Sequence, residues 1–205
     1  MDCMPASDKS RYLSEAVQRA AKILVVGHFA VGKTTFIGTL SEIPPLRTEE
    51  RMTQVGDRIG EVEGAPAARG SATAAKSTTT VAMDCGRITL SERLVLYLFG
   101  TPGQQRFVQV WEDVTRGALG ALALVDPQRL QESFAVIDLL EKYGVPYAVA
   151  VNRFDESPPF DAEQLREALD LLPDIPLVTC DVRDRNSSVL ALMELIGYLQ
   201  ERAED

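Results

Sequence analysis

The residues with the most specific chemistry in this chain lie at positions 27–35. They read Gly-His-Phe-Ala-Val-Gly-Lys-Thr-Thr, which fits the pattern G-x-x-x-x-G-K-[ST] without a mismatch. A short apolar run at residues 23–26 precedes the motif and predicts a buried strand, so the motif predicts a loop between that strand and a helix. Backbone N–H groups in such a loop bind phosphate groups. The pattern therefore predicts a phosphate site for a nucleotide.

Each residue type in this motif has a chemical reason. Gly27 and Gly32 permit a close turn of the backbone around a pyrophosphate. Lys33 reaches the β- and γ-phosphates as a point charge, and the Thr34 hydroxyl supplies one oxygen to Mg²⁺. His28 fills a position that the motif leaves open. The residues of this loop that we predict to contact the nucleotide are Gly27, Ala30, Val31, Gly32, Lys33, Thr34 and Thr35.

The composition limits the class of protein. A chain of 205 residues corresponds to one α/β domain, and its formal net charge of −9 disfavours nonspecific binding to nucleic acid or to anionic lipid. Three cysteines without a C-x-x-C pair and a single histidine predict a reducing compartment and no zinc site. The sequence has no apolar run of about 18 residues and no signal-peptide pattern, so we expect a cytoplasmic protein. From the acidic net charge we expect no nucleic-acid partner.

The order of apolar runs predicts an α/β fold. Buried strands are predicted at residues 23–26, 94–99, 118–125, 147–151 and 176–180. Helices are predicted at residues 33–40, 104–116, 130–143, 161–171 and 187–201. Alternation between residues 80 and 98 predicts an antiparallel hairpin that turns near Ser91 and Glu92. We therefore expect three layers around a mostly parallel, six-stranded sheet with one antiparallel edge strand.

Two segments lie outside this regular pattern. Residues 1–20 are predicted to be an N-terminal extension before a single domain at residues 21–205, and the pattern at residues 11–21 is compatible with a short helix. Residues 43–77 are rich in glycine, proline and alanine and predict a long loop. Such a loop is usually functional, although an inert insertion is the alternative.

Three further segments follow the phosphate-loop motif in the order found in Ras-like small GTPases. Residues 77–84 (S-T-T-T-V-A-M-D) resemble the first switch, residues 99–104 (F-G-T-P-G-Q) the second switch, and residues 152–155 (N-R-F-D) the guanine-reading N-K-x-D. The resemblance is strongest to the small GTPases of bacterial conservons, the CvnD group, which are relatives of the polarity GTPase MglA. It covers residues 22–200, and it implies a P-loop NTPase of the Ras-like G-domain type that binds GTP or GDP with Mg²⁺, with residues 43–80 as a long first-switch region.

The N-R-F-D segment can also be interpreted from the chemistry of its side chains. The Asp155 carboxylate can accept hydrogen bonds from guanine N1–H and the 2-amino group, and adenine offers neither donor. In the family, the residue at Asn152 ties this loop to the phosphate loop, and Arg153 replaces a lysine that packs on the base. Ordinary strand-end turn chemistry is the alternative for Asn152 and Asp155. The backbone loop that meets guanine O6 in the family corresponds to Cys180, Asp181 and Val182, of which Asp181 is a candidate contact.

The second switch departs from the family pattern. An aspartate that holds Mg²⁺ through water ends the strand in typical small GTPases, and Gly100 stands at that position here. Metal binding would then rest on Thr34, a first-switch hydroxyl, phosphate oxygens and water. Thr80 is our first choice for that hydroxyl and Thr79 the second. Asp126 at another strand end is a candidate replacement, although a turn cap is the simpler reading.

The resemblance also implies the catalytic groups and the partners. Lys33 would neutralise the phosphates, Gly103 would present its N–H to the γ-phosphate, and Gln104 would orient the attacking water. The alternative for Gln104 is an ordinary residue in the first turn of a helix. A rate-enhancing arginine could come from Arg47, Arg51, Arg58 or Arg69. Arg106 could serve a partner interface, and Trp111 is either core or an exposed anchor for a partner. The implied partners are a Roadblock-domain protein and a membrane-bound sensor-kinase-like protein, through which any membrane recruitment would occur.

These expectations combine into a slow GTPase switch of a bacterial signalling module. Two alternatives remain open from the sequence. One is a nucleotide-binding scaffold without significant hydrolysis, which the glycine at position 100 suggests. The other is a P-loop ATPase or kinase, in which the N-R-F-D segment is incidental.

Overall fold

A computed structural model describes residues 19–53, 78–101, 108–154 and 160–204 of the chain. The strands are β1 (Arg19–Val26), β2 (Leu46–Thr53), β3 (Thr78–Ser91), β4 (Leu94–Gly100), β5 (Ala118–Val125), β6 (Tyr147–Asn152) and β7 (Leu177–Cys180). The helices are α1 (Lys33–Leu40), α2 (Val108–Thr115), α3 (Gln131–Lys142), α4 (Ala162–Ala168) and α5 (Arg185–Glu204). All strands join one sheet in the order β2-β3-β4-β1-β5-β6-β7, in which β4 to β7 run parallel to β1 and the β2–β3 and β3–β4 pairs are antiparallel.

The two faces of the sheet bury separate cores. Ile23 and Val25 of β1 pack in the core that includes side chains of α1 and α5. Leu24 and Val26 point to the opposite face and pack with side chains of α2, α3 and α4. Because successive side chains of a strand point to opposite faces, a strand buried on both sides reads as a continuous apolar run. The predicted three-layer α/β fold with a mostly parallel sheet is confirmed.

The antiparallel edge differs in detail from the prediction. The hairpin of β3 and β4 is confirmed, with Glu92 and Arg93 at its turn. Strand β2, however, lies in the segment that was predicted to be loop, and it covers the outer edge of β3. Its sequence, L-R-T-E-E-R-M-T, lacks apolar alternation, so its pairing with β3 through backbone hydrogen bonds left no signal in the sequence.

Several predicted bounds also need adjustment. Strand β1 begins at Arg19, so the residues from 19 onward are strand rather than part of a helix at residues 11–21, and the sheet includes the end of the predicted N-terminal extension. The Arg19 N–H donates to the Arg93 carbonyl at 2.9 Å, which extends the strand beyond its apolar run. Helix α1 has the predicted bounds, and the predicted start of α2 at residue 104 lies outside the described residues. Among the described helices none is long and apolar enough to cross a membrane.

The buried face of α5 yields a test of the fold. Leu192 is 1% exposed in the core beneath α5, whereas Leu190 on the same helix is 67% exposed. We expect Leu192→Ala to lower the free energy of unfolding by about 2–5 kcal/mol, because it leaves a cavity. The matched variant Leu190→Ala should change it by less than about 0.5 kcal/mol. Urea unfolding of both variants is the measurement, and similar losses would contradict the assigned orientation of α5.

Candidate nucleotide-binding site

The candidate site lies at the carboxyl ends of the parallel strands. The chain leaves β1 through the predicted phosphate loop and enters α1, and the neighbours of β1 in the sheet are β4 on one side and β5 on the other. The carboxyl ends of β1, β4, β6 and β7 therefore lie at one edge of the sheet. In open α/β sheets this edge, where the strand order reverses, is where ligands bind.

The backbone of the phosphate loop has a conformation that requires its glycines. Gly27 and Gly32 have φ angles of 143° and 109°, and Ala30 is also left-handed with a φ of 65°. A Cβ on Gly27 would lie 2.5 Å from the Leu124 carbonyl oxygen, and one on Gly32 would lie 3.0 Å from Asn152 Nδ2. The glycines thus let the loop fit against the ends of β5 and β6, in addition to the close phosphate approach predicted from the motif.

Lys33 points back into this loop. Its Nζ donates hydrogen bonds to the carbonyls of Gly27 at 2.8 Å and His28 at 2.7 Å. Burial lowers the pKa of the Lys33 ammonium to about 8, and the negative charge of Asp84 partly opposes that shift. A partly desolvated cation that is held by backbone carbonyls at this loop is suited to a phosphate anion.

Thr34 contacts a residue of the hairpin. Its hydroxyl donates a hydrogen bond to the Asp84 carboxylate, and Asp84 lies directly opposite Gly100 in the pairing of β3 with β4. Sequence reasoning placed Asp84 only within the first-switch pattern and missed this contact. The sequence carries only a weak signal for this contact of Asp84. The register of the hairpin decides which β3 residue faces position 100, and the sequence does not specify that register.

Thr80 occupies a different place from the one expected of a metal ligand. It belongs to β3, pairs with Arg51 of β2, and precedes Asp84 by four residues. At about 3.3 Å per residue the two Cα atoms lie roughly 13 Å apart along the strand. In this conformation Asp84, rather than Thr80, is therefore the first-switch residue beside Thr34. Thr79 lies next to Thr80 in the same strand, opposite Met52.

Asn152 joins the base-side loops to the phosphate loop. Its side chain is 2% exposed, its Nδ2 donates to the Val31 carbonyl at 2.9 Å, and its Oδ1 accepts from the Val182 N–H at 3.3 Å. The Arg153 N–H donates to the Cys180 carbonyl at 2.8 Å, which holds the ends of β6 and β7 together. The structure thus brings all three predicted loops together, and the exposed Arg153 side chain lies beside them.

The loop after β7 is held by its own contacts. The Asp181 N–H donates to Ser187 Oγ at 2.9 Å, so a contact of this N–H with a base would have to share or replace that bond. The Asp181 carboxylate accepts from Arg183 Nε at 2.9 Å and Nη2 at 3.0 Å, and these hydrogen bonds lower its pKa. Cys180 is fully buried, and burial raises the pKa of its thiol. Val182 is buried as well.

Three further residues from the sequence analysis have contacts that stabilise the fold. Asp126 caps its own turn by accepting from the Gln128 N–H at 2.9 Å. Trp111 is 4% exposed, so it is a core residue and not an exposed anchor for a partner. His28 is buried, with Nδ1 hydrogen-bonded to the Phe29 carbonyl at 2.7 Å, and its pKa is lowered chiefly by burial.

Ala30, Thr34 and Thr35 are exposed at the loop and the start of α1. Other predicted residues have only a backbone position or no described position. Arg47 and Arg51 belong to β2. The predicted residues that lie outside the described residues are Arg58, Arg69, Gly103, Gln104, Arg106 and Asp155.

Sequence comparison identifies a matching family and two similar proteins. The family described as conserved hypothetical ATP binding protein matches residues 61–202, which is more than half of the chain. The uncharacterized protein MJ1339 of Methanocaldococcus jannaschii is 32% identical over 136 residues, covering 65% of this chain and 70% of its own. The "Probable translation initiation factor IF-2" of Thermofilum pendens is 28% identical over 88% of this chain, which spans only 28% of the length of that protein.

Solved structures agree on the fold. The FeoB G-domain from Methanococcus jannaschii superposes with a TM-score of 0.57 at 14% identity, covering 89% of this chain and 99% of that domain. The cytosolic domain of L. pneumophila FeoB gives a TM-score of 0.58 at 18% identity, covering 87% of this chain and 64% of that one. At these identities the likeness concerns the fold alone. The chain belongs to the family described as conserved hypothetical ATP binding protein, and it has the fold of a P-loop, GTPase-like nucleotide-binding domain.

Proposed function

We propose that this protein is a guanine-nucleotide-dependent switch that binds GTP and GDP with Mg²⁺ and hydrolyses GTP slowly. The observation that carries the proposal is the bridge made by Asn152. Its amide links the Val31 carbonyl in the phosphate loop to the Val182 N–H in the loop after β7. These loops are the places where small GTPases hold the phosphates and the guanine base, so one side chain fixes the phosphate site relative to the base site.

Base selection would rest on Asp155, three residues beyond Asn152. Its carboxylate would accept from guanine N1–H and the 2-amino group, and adenine would leave that carboxylate without donors. Arg153, whose side chain is exposed at the same loop, would stack on the base. The Asp181 N–H is the candidate donor to guanine O6, which would share or replace its bond to Ser187.

Hydrolysis would use few groups. Lys33 would turn from the carbonyls that hold it now toward the β- and γ-phosphates, and Gly103 would donate its N–H to the γ-phosphate. Gln104 would orient water for attack on phosphorus. Bound Mg²⁺ would neutralise charge on the phosphate oxygens, with Thr34 and a first-switch hydroxyl at Thr80 among its side-chain ligands. Without an aspartate at position 100 we expect slow turnover.

Switching would require the first-switch strand to rearrange. Thr80 is paired with Arg51 in the antiparallel β2–β3 ladder, about 13 Å along β3 from the contact with Thr34. For Thr80 to reach a γ-phosphate, the first part of β3 must move relative to β2. GTP would then favour one arrangement and GDP the other, which would change the surface offered to partners.

The resemblance of the switch segments to CvnD-type and MglA-like GTPases suggests the setting. We propose a cytoplasmic signalling role in a bacterial conservon module, with a Roadblock-domain protein as direct partner. A membrane-bound sensor-kinase-like protein would recruit the assembly to the membrane.

Two other functions make distinct predictions. A P-loop ATPase is favoured by the description of the matching family, which names ATP. A nucleotide-binding scaffold without hydrolysis is favoured by the glycine at position 100, because the usual metal-linked carboxylate is missing from that strand end.

Competition between nucleotides tests the base specificity. We expect fluorescent GDP on nucleotide-free protein to be displaced by GTP and not by equimolar ATP. Asp155→Asn should weaken GDP binding by about 100-fold or more, because the amide cannot accept both guanine donors, and it should favour xanthosine diphosphate. Asp161→Asn is the matched control, since Asp161 caps α4 and asparagine caps equally well. Equal displacement by ATP would support the ATPase instead.

The Asn152 bridge can be tested directly. Asn152→Ala leaves the buried Val31 carbonyl and Val182 N–H without this partner, so we expect a loss of about 1–3 kcal/mol in the free energy of unfolding. Nucleotide affinity should fall by about tenfold or more, because the two loops lose their common support. The exposed Asn186 provides the matched control, Asn186→Ala. Unchanged affinity in Asn152→Ala would contradict the role given to the bridge.

Single-turnover hydrolysis tests the catalytic assignment. We expect purified protein to hydrolyse bound GTP at about 10⁻² per second or slower. Gln104→Leu should reduce that rate by about tenfold or more, and the neighbouring Gln105→Leu should not. Bound GTP that persists for hours, both alone and with the Roadblock-domain protein, would support the scaffold function.

A further inference from the structure

The strand end that usually carries a metal-linked carboxylate is occupied here by a buried glycine. Gly100 ends β4, and a Cβ at this position would lie 3.0 Å from Ile37 Cδ1 and 3.4 Å from Asp84 Cβ. The space that a side chain at position 100 would enter is therefore bounded by the α1 helix and by Asp84. Since directly opposed residues of an antiparallel pair project from the same face, Asp84 lies on the α1 side of the sheet.

The carboxylate of Asp84 reaches the group that the phosphate-loop motif provides for a cation. It accepts a hydrogen bond from the Thr34 hydroxyl, although the two residues are 50 positions apart in the sequence. It also acts electrostatically on the Lys33 ammonium. A carboxylate from β3 and a hydroxyl from the first turn of α1 are therefore in contact, and the phosphate-loop lysine lies within the electrostatic reach of that carboxylate.

The donor set at this point suits Mg²⁺. Carboxylate and hydroxyl oxygens are hard ligands, and Mg²⁺ in phosphate-binding sites is usually held by one or two carboxylates together with substrate phosphates. Within the described ranges no group of three or more His, Cys, Asp or Glu side chains is arranged to hold a metal. Binding by this chain would thus depend on the phosphates of a nucleotide.

The other strand-end carboxylate is differently engaged. Asp126 follows β5, is 7% exposed, and accepts the Gln128 N–H at 2.9 Å within its own turn. Asp84 instead faces α1 and the residue that bears the motif hydroxyl. Of these two carboxylates, Asp84 is the one placed for a nucleotide-bound cation.

We infer that Asp84 supplies the carboxylate for the Mg²⁺ of the bound nucleotide, taking the role that an aspartate at position 100 has in typical small GTPases. The carboxylate has moved from the end of β4 to the facing position on β3, and Gly100 leaves the space it needs. This inference rests on the proposed nucleotide switch. It also links the first-switch strand directly to the metal, because Asp84 and Thr80 both belong to β3.

The test compares dissociation of fluorescent GDP or ADP, whichever the wild-type protein retains, in Mg²⁺ and in excess EDTA. We expect dissociation from wild type to be about tenfold or more slower in Mg²⁺. Asp84→Asn keeps an oxygen that can accept from Thr34 but loses the charge, so its EDTA-to-Mg²⁺ ratio should fall below about threefold. Because the readout is a ratio for each variant, a general weakening of the fold cancels. Asp126→Asn should keep the wild-type ratio.

A reciprocal variant returns the carboxylate to the usual strand. We expect Asp84→Ala combined with Gly100→Asp to recover most of the Mg²⁺ effect, with a small shift of the flexible Ile37 side-chain end. Titration of free Mg²⁺ should show a higher half-effective concentration for Asp84→Asn than for wild type or the double variant.

The outcomes separate this inference from the proposed function. A full Mg²⁺ effect in Asp84→Asn, loss of the effect in Asp126→Asn alone, or no Mg²⁺ effect in a wild-type protein that retains nucleotide would each overturn the role of Asp84. A wild-type protein that retains neither fluorescent GDP nor ADP would overturn the proposed function, and this inference with it.

Discussion

The buried amide of Asn152 holds together the loops on which the site depends. It donates to the Val31 carbonyl and accepts from the Val182 N–H. A Cβ on Gly32 would lie 3.0 Å from Asn152 Nδ2. A buried amide with both ends paired is favourable, whereas the same backbone groups without it would each lose a partner away from water. The phosphate loop, the end of β6 and the loop after β7 therefore hold their positions as a unit. Gly32, which caps the start of α1, has a left-handed backbone and packs against this amide.

The sheet explains why these loops meet. Parallel strands place their carboxyl ends at one edge, and β1, whose last four residues are buried, stands between β4 and β5, so the phosphate loop emerges at the centre of that edge. The cores on the two faces hold α1 and α5 on one side and α2, α3 and α4 on the other. Beside these packed layers lies the hairpin of β3 and β4 with β2 at its outer edge. Thr80, the residue proposed as the first-switch hydroxyl, belongs to that hairpin.

The charge at the candidate site differs from the net charge of the protein. The chain is strongly acidic, with a net charge of −9, yet the phosphate loop holds a partly buried lysine whose pKa burial lowers to about 8. Asp84 opposes part of that shift and contacts Thr34. An anionic ligand beside Lys33 and a cation beside Asp84 would each meet a charge of opposite sign, which is the arrangement that a metal-bound nucleotide offers.

The sequence alone determined the layers, the bounds of α1 and the position of the phosphate loop. Those features arise from apolar runs and from glycines whose conformations are local. It did not determine the contact between Asp84 and Thr34. Counting from the pair Ser91–Leu94 would place Asp84 opposite Thr101, but a register shift between Thr89 and Ser91 places it opposite Gly100. A one-residue shift moves every side chain to the other face of a strand, so the tertiary structure decided which residue meets Thr34. Strand β2 likewise exists because the edge of β3 offers backbone partners, and its own residues carry no strand pattern.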